Sequence, residues 1–452
     1  MNIFDKVLEI YQKYYICPYC LGRMFALLGT GTTNFERAYS LFLSLTLENH
    51  RILLTDKNKD NIALLNLRIL AENAKFSPAQ KVLENEGLKY TQIDSSKTCY
   101  LCHDIFLNLQ KYVNKAIKKV EDYEYDTFLC GTSPNSKIIN QEDKFKAEFN
   151  LLESESFKNH FNREIGKLIS SIINKPPEFE KPDIVIIFSL DFDEFEIQLL
   201  VRSLFISGRY NKLIRGIPQT RWPCRKCQGK GCDDCNFTGT QYNTSVEQLI
   251  SPLFIEESKA TGSKFHGAGR EDIDVRMIGN GRPFILELKE PKTRNLDLNY
   301  IMVEINNTQD GKVQISNLKY SSKKEVIALK AKAENTQKVY LALIEAEEAI
   351  EKKTFETKLN LLKNTIENNK IYQRTPNRVS HRRADLIREK YVYKIEGDFV
   401  RSNLFKFTIQ TQGGTYIKEL ISGDDGRTKP SFSEVFGSKL ICKELDVIEI
   451  KE

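Results

Sequence analysis

Apolar residues recur along this chain in two rhythms, and the change between them divides it. Residues 1 to about 75 alternate helical apolar spacing with polar turns. Glu142 to Ile173 is helical in the same way, with Phe161, Ile165, Leu168 and Ile169 at helical spacing. The Pro-containing stretch from Lys175 to Pro182 interrupts that rhythm. Beyond it, Ile184 to Phe188 is a continuous apolar run that predicts a buried strand. Glu196 to Val201 predicts another, with Asp191 to Glu194 as the turn between them. A polar, cysteine-rich loop follows at 224–240. Thr244-Ser-Val-Glu247 reads as a capping box that opens a helix toward Ile250 and ends it near Pro252. Strand-like segments then fall at 264–277, 283–289, 300–305, 312–316, 338–345, 391–396 and 404–411. Charged helical stretches at about 322–333 and 347–369 interrupt them. The sum is an α+β pattern with a mainly antiparallel sheet, without an internal repeat or a low-complexity tail.

One stretch stands apart from this patterning. Residues 267–284 read GAGREDIDVRMIGNGRPF. A dinucleotide fingerprint would need a third glycine where Asp272 sits, and no Gly-Lys-Ser/Thr ending makes a phosphate loop. The alternation of Ile273, Val275 and Met277 with Asp272, Asp274 and Arg276 predicts a strand with both aspartates on one face. Gly279-Asn280-Gly281 supplies the positive φ of a tight hairpin, with 283–288 returning as the partner strand. An amphipathic hairpin whose charged face meets water would look the same.

At 452 residues the chain has room for about three domains. Its 40% hydrophobic and 28% charged content is that of a globular protein. No apolar run reaches the length of a membrane helix, and the N-terminus lacks a secretory core, so a reducing, cytoplasmic setting is expected. The net charge of +6 is mild, but its distribution is not. Arg202, Arg209, Lys212, Arg215, Arg221, Arg225, Lys226 and Lys230 follow one another without an intervening acid, with Tyr210, Trp222 and Phe237 in or near the block. A second basic stretch holds Arg374, Arg378, His381, Arg382, Arg383 and Arg388. Such blocks suit a phosphate backbone, and rings among cations suit bases; a solvated surface is the plain alternative. Arg209, Lys212, Arg215, Arg382 and Arg383 are the expected RNA contacts.

The cysteines add chemistry. Cys224, Cys227, Cys232 and Cys235 form two C-x-x-C knuckles in one short loop, with Gly229 and Gly231 between them. In a reducing compartment such spacing suits tetrahedral zinc. Cys17/Cys20 and Cys99/Cys102 are further knuckles, far apart in sequence, which can share a zinc if the fold joins them. His103 is a conceivable substitute ligand, and a thioredoxin-like reading of CPYC lacks the expected preceding strand. Cys130 and Cys442 are left over.

Four segments, GAGREDIDVRMIGNGRPFILEL, KVYLALIEAE, RTPNRVSHRRADLIR and TQGGTYIKELISGDDGRTKPS, occur in order and together resemble the pseudouridine synthase superfamily. They are most similar to the archaeal tRNA pseudouridine(54/55) synthase family. The segment at 75–215 resembles a THUMP RNA-binding domain. The resemblance implies a pseudouridine synthase fold with an N-terminal α/β THUMP-like region and zinc knuckles. Its boundaries are 1–74 for a helical region whose knuckle is completed by 99–102, 75–215 for the THUMP-like domain, 216–240 for the zinc loop and 241–452 for the catalytic domain. It also implies Asp272 as the catalytic carboxylate and Arg270 beside an extruded uridine. Tyr340 would stack on the base, and Tyr416 and Lys418 would contact substrate, Lys418 pairing with Asp272. Asp274 would be structural.

The implied activity isomerises uridine in the TΨC arm, at position 54, 55 or both. It requires structural zinc but no organic or nucleotide cofactor, and the expected partner is tRNA, with no membrane and a monomeric enzyme. A non-catalytic THUMP-containing zinc protein that binds RNA is the competing reading; it would leave Asp272 without a task.

Overall fold

The computed structural model describes residues 2–55, 62–91, 96–192, 194–332, 336–382 and 384–451. The chain divides into two compact units, Met1–Arg202 and Ser203–Glu452. Among the described residues no helix is long and apolar enough to cross a membrane.

The first unit is built on a three-stranded sheet of β1 (Phe128–Pro134), β2 (Ile184–Leu190) and β3 (Phe195–Val201). β1 and β2 are parallel, and β3 returns antiparallel to β2. The helix Phe157–Ile173 lies against β1. Ser156 starts it by accepting from the Asn159 amide, and Asn174 ends it in the left-handed conformation. Phe157, Phe161, Ile165 and Ile169 recur at i, i+4 and are all buried. Each such side chain stabilises the unit by about 1.5–3 kcal/mol, so Phe161→Ala alone removes about 3–5 kcal/mol. The N-terminal helices Ile3–Lys13 and Asn34–Thr55 contribute Val7, Ile10, Ala38 and Phe42 to the same core.

The second unit carries a large sheet of β4 (Leu204–Lys212), β5 (Gly262–Gly267), β6 (Arg276–Lys289), β7 (Val313–Ser321), β8 (Gln337–Ala346), β9 (Lys370–Arg374), β10 (Ile387–Arg401), β11 (Leu404–Gln412), β12 (Thr428–Lys429) and β13 (Leu440–Lys451). Its order is β12-β9-β10-β11-β8-β13-β6-β4-β7, with β5 on β6. All described pairings are antiparallel except β13 with β6. Two cores flank the seam at β13. One gathers Ala342, Ile344, Phe405, Phe407 and Ile409; the other gathers Ile206, Phe254, Leu286 and Leu288. Residues 203–215, which the sequence groups with the THUMP-like stretch, supply β4 to this second sheet.

Several expected elements come out differently. Gly279-Asn280-Gly281 does not reverse the chain: β6 runs through it, with φ of 66° and 71° at the two glycines. A Cβ on Gly279 would meet the Ile448 carbonyl oxygen at 1.8 Å, so the glycine permits close approach of β13. Asn280 then completes the ladder, donating to the Ile450 carbonyl at 3.0 Å and accepting from its amide at 3.1 Å. Residues 270–275 form a loop with a turn, not a strand. Residues 300–305 lie in the helix Leu298–Thr308, because Asp297 caps it and Ile301 and Ile305 pack at helical spacing. The helix opened at Ser245 continues through Pro252 to Ser258.

Candidate active site

The segment Ala268–Val275 joins β5 to β6 and carries both aspartates. Cations of the 202–230 block hold its backbone. The Lys212 ammonium donates to the carbonyls of Asp272 (3.0 Å), Ile273 (3.1 Å) and Ile217 (3.0 Å). Arg215 donates to Asp274 O and Leu445 O, each at 2.8 Å, and to the Asp446 carboxylate at 2.7 Å. Arg209 donates to the carbonyls of Asn280 (2.6 Å) and Gly281 (3.0 Å). Arg282 donates to Ala268 O and Gln219 to Gly269 O, each at 2.9 Å. This corrects the expectation for Lys212: it is buried beneath the loop and out of reach of a phosphate, because its charge is used to hold carbonyls. Arg215 is likewise engaged on every side that the contacts define. Burial, partly offset by Glu271, pushes the Lys212 ammonium down to about 8.

Within the loop, side chains part company. Glu271 turns inward, accepting from the Tyr210 hydroxyl at 3.0 Å and lying 2.8 Å from Arg282 Nε and 4.0 Å from Lys212 Nζ. Both ionic partners are buried, as is Glu271 itself, so Glu271 is the anchor that fixes the register of the loop. Asp272 faces the other way and is 38% exposed, at the wall of a cleft of 780 Å³. Tyr340, Lys338, Arg378, Tyr416 and Lys418 line the same cleft. A smaller pocket of 280 Å³ also reaches Asp272 and Arg270, and takes Trp222 and Arg225 from the cysteine loop.

The cation on Asp272 is Arg378, whose Nη1 lies 2.9 Å from Oδ2. Its Nε donates to the buried Glu419 at 2.6 Å, which fixes the guanidinium. Lys418 hydrogen-bonds instead to Asp274, at 2.6 and 2.8 Å, and stands 3.9 Å from Asp272. The expected Lys418–Asp272 pair is present at ion-pair distance, but Lys418 lies closer to Asp274, and Arg378 is the nearer cation on Asp272. Burial works against ionisation at Asp274, but the Lys418 ammonium outweighs it and holds the carboxyl below its ordinary value. Lys418 stands on the short helix Ile417–Ser422. The preceding residue, Tyr416, is clamped through its backbone by Gln373, at 2.8 and 2.9 Å. Tyr340 is buried in the wall, where loss of solvent raises its phenol to about 12. Arg383 and the side chain of Arg382 lie outside the described residues.

Chemically, the site presents two exposed carboxylates on one loop, Asp272 beside a fixed guanidinium and Asp274 on the Lys418 ammonium, with an aromatic wall and a cationic rim. Sequence reasoning placed Asp272, Tyr340, Tyr416, Lys418 and Arg270 here, and all five line the cleft. It missed Arg378, Glu271, Arg282 and Gln373 as site residues. Arg378 could have been found, since it stands in the quoted segment RTPNRVSHRRADLIR.

Both cysteine sets are gathered. Cys17, Cys20, Cys99 and Cys102 lie together in the first unit, and Cys224, Cys227, Cys232 and Cys235 in the second, the ligand atoms of each set within 4.8 Å of one another. The Sγ separations are 3.6 Å for Cys17–Cys102 and 3.7–3.9 Å for Cys232–Cys235, Cys227–Cys235 and Cys224–Cys232. Tetrahedral thiolates at about 2.3 Å from a metal would stand about 3.8 Å apart, so each set can hold a metal ion. Amides of Gly231, Cys232 and Gly239 point at sulfurs of the second set, at 3.1–3.3 Å, which favours thiolate. His103 takes no part in either; it stacks on Phe192 at 3.8 Å.

A family model described as Pus10, C-terminal, matches residues 205–451, and one described as Pus10 THUMP domain, archaeal, matches residues 112–189. A curated protein of Methanocaldococcus jannaschii, named tRNA pseudouridine synthase Pus10, is 45% identical over 448 residues, covering 98% of this chain and 94% of that one. A protein of the same name from Methanothrix thermoacetophila is 38% identical over 451 residues, covering 99% and 94%. A solved chain of a Cbf5–Nop10–Gar1 complex is similar over 46% of each chain, with 17% identity and a TM-score of 0.29.

Proposed function

The chain belongs to the Pus10 family, whose curated members are named tRNA pseudouridine synthases, and from that premise we propose that it isomerises uridine in the TΨC arm, at position 54, 55 or both, with Asp272 as the reacting carboxylate. The reaction breaks the N1–C1′ bond, turns the detached uracil and forms a C5–C1′ bond. Electrons and atoms balance without a redox partner. Asp272 acts as nucleophile at the ribose or as base on it, and either role needs an ionised carboxylate. The observation that carries the reading is the Arg378 guanidinium 2.9 Å from Asp272, inside a cleft also lined by Tyr340. A stacked uridine must leave its helix to reach that carboxylate. Tyr340 receives the extruded base, Tyr416 and Lys418 contact the substrate, and Arg270, which lines both pockets, lies beside the extruded uridine. Lys418 and Asp274 form a structural pair that keeps Asp274 out of the chemistry.

Zinc is the metal we propose for both quartets. Four thiolates close its coordination, so it supplies fold and no open position for substrate. Grip on the tRNA backbone is assigned to cations at the rim and to Arg382 and Arg383. Asp272→Asn tests the assignment: pseudouridine mapped in an unmodified tRNA transcript should fall at least about 10³-fold with affinity nearly unchanged. Turnover within about tenfold of the wild type would sink it. A wild-type protein that binds the tRNA but releases no tritium from C5-labelled uridine would favour a non-catalytic RNA binder.

A further inference from the structure

Lys338 has no place in the chemistry above. It lies on β8 two residues before Tyr340, so both side chains leave the same face of the strand, about 6–7 Å apart along it. Both line the cleft. The residue is only 6% exposed, yet no described group accepts a hydrogen bond from its ammonium or pairs with it ionically. A lysine buried without a partner is expensive to keep charged.

Its surroundings make the charge excess plain. The charged groups acting on it are Arg282 from β6, Glu271 from the aspartate loop and Lys390 from β10. Glu271 is already shared between Arg282 and Lys212. Lys390 donates to the Gly413 carbonyl at 2.9 Å. Gly269 completes the picture. A Cβ there would touch Arg282 Nη1 and Lys338 Nζ, both at 3.4 Å, so the guanidinium and ammonium tips converge on this glycine, whose φ is +75°. Burial and the repulsion of Arg282 push the ammonium down to about 7, as expected of a cation awaiting its counter-charge.

We infer that Lys338, with Arg282 behind it, is a subsite for one RNA backbone phosphodiester, that of a phosphate flanking the extruded uridine. The inference rests on the functional reading given above. A neutral uracil carbonyl would satisfy one hydrogen bond but leave the local excess of positive charge in place. A phosphate monoanion offsets it, and charge-assisted bonds from an ammonium are the strong kind. A ring against Tyr340 and a phosphate against Lys338 are one nucleotide's span apart. The subsite would therefore set how far the ribose travels toward Asp272.

The test uses the full-length protein and a tRNA assembled with a single methylphosphonate, uncharged, on either side of the target uridine. In single-turnover measurements one of the two should cost the wild type about tenfold to a hundredfold in kcat/KM. Lys338→Met should show a similar loss on unmodified tRNA, and the sensitive methylphosphonate should then add less than about twofold, the signature of a shared contact. Lys338→Arg should keep the sensitivity. The wild-type kcat/KM should also fall as pH rises through about 7, where free Lys338 loses its proton, and Lys338→Arg should lack that limb. Facing this titration are Glu271, Arg282, Lys390 and Tyr340.

An active wild type indifferent to both methylphosphonates overturns the subsite, whatever becomes of the variants. So does a methylphosphonate that costs Lys338→Met as much as it costs the wild type, which would turn Lys338 toward the base. A wild type that makes no pseudouridine sinks the functional reading and the subsite with it.

Discussion

The two cysteine quartets have the same ligands and nearly the same sulfur spacing, but they do different work. In the first unit Cys17, Cys20, Cys99 and Cys102 are all fully buried, and they join a helix start near the N-terminus to a loop some eighty positions later. The buried Arg23, ion-paired with Glu142, lies close enough to Cys20 and Cys102 to offset thiolate charge. In the second unit Cys224 to Cys235 form one local loop, two of the four partly exposed, with an exposed Lys226–Asp234 pair beside them. The first quartet is part of a hydrophobic core; the second is a self-contained clip. Sequence distance, not ligand type, decides which a metal site becomes, because only a long-range site ties separate elements together.

That contrast can be broken by substitution. The largest effect is expected from Cys99→Ser, which leaves buried, charged or half-satisfied sulfurs in a packed core. Loss of about 3–5 kcal/mol in a unit of this size lowers its melting temperature by about 10 °C or more, readable by calorimetry of the intact chain. One equivalent of zinc should go with it. Equal melting of variant and wild type would put the first quartet in the class of the second.

Next comes Cys232→Ser. It should also lose one equivalent of zinc, yet shift the second unit's melting by only a few degrees, because its core does not run through the clip. Its effect should fall on turnover instead, by about tenfold, since Trp222 and Arg225 border the pocket beside Asp272. Unchanged turnover would separate the clip from the site.

The smallest effect is kinetic. A chelator should strip the wild type in two phases, the exposed clip first and the buried quartet only on opening of its unit. A single phase would mean that burial does not gate release.

The same contrast between local and distant governs how much could be read from the sequence. The clip, β2, β3, β8, β10 and β11 were legible because their signals are contiguous. Asp272 and its neighbours were legible as motifs. What escaped depends on partners far along the chain. Positive φ at Gly279 and Gly281 is as consistent with a hairpin as with a bent strand, and only β13, brought alongside, selects the second. Lys212 counts as one more cation in a basic block until the fold buries it under the carbonyls of Asp272 and Ile273. Arg378 and Lys418 are both basic residues in recognisable motifs. That Arg378 is the nearer of the two to Asp272 follows from the Glu419 carboxylate that fixes it, a tertiary fact.

Strand β13 carries a further consequence, one of timing. It follows every other described strand in sequence, yet it lies between β8 and β6 in the middle of the sheet. Its Asp446 receives both Arg215 and Arg276, and its Leu445 and Val447 line the cleft. During synthesis the two half-sheets therefore emerge first and wait with facing edges unpaired, until the strand that joins them is made. The Arg215 clamp, which ties the aspartate loop to Leu445 and Asp446, closes only at that moment. A partly synthesised chain would hold the residues for uridine chemistry without holding them in place, so competence arrives as a late step and all at once.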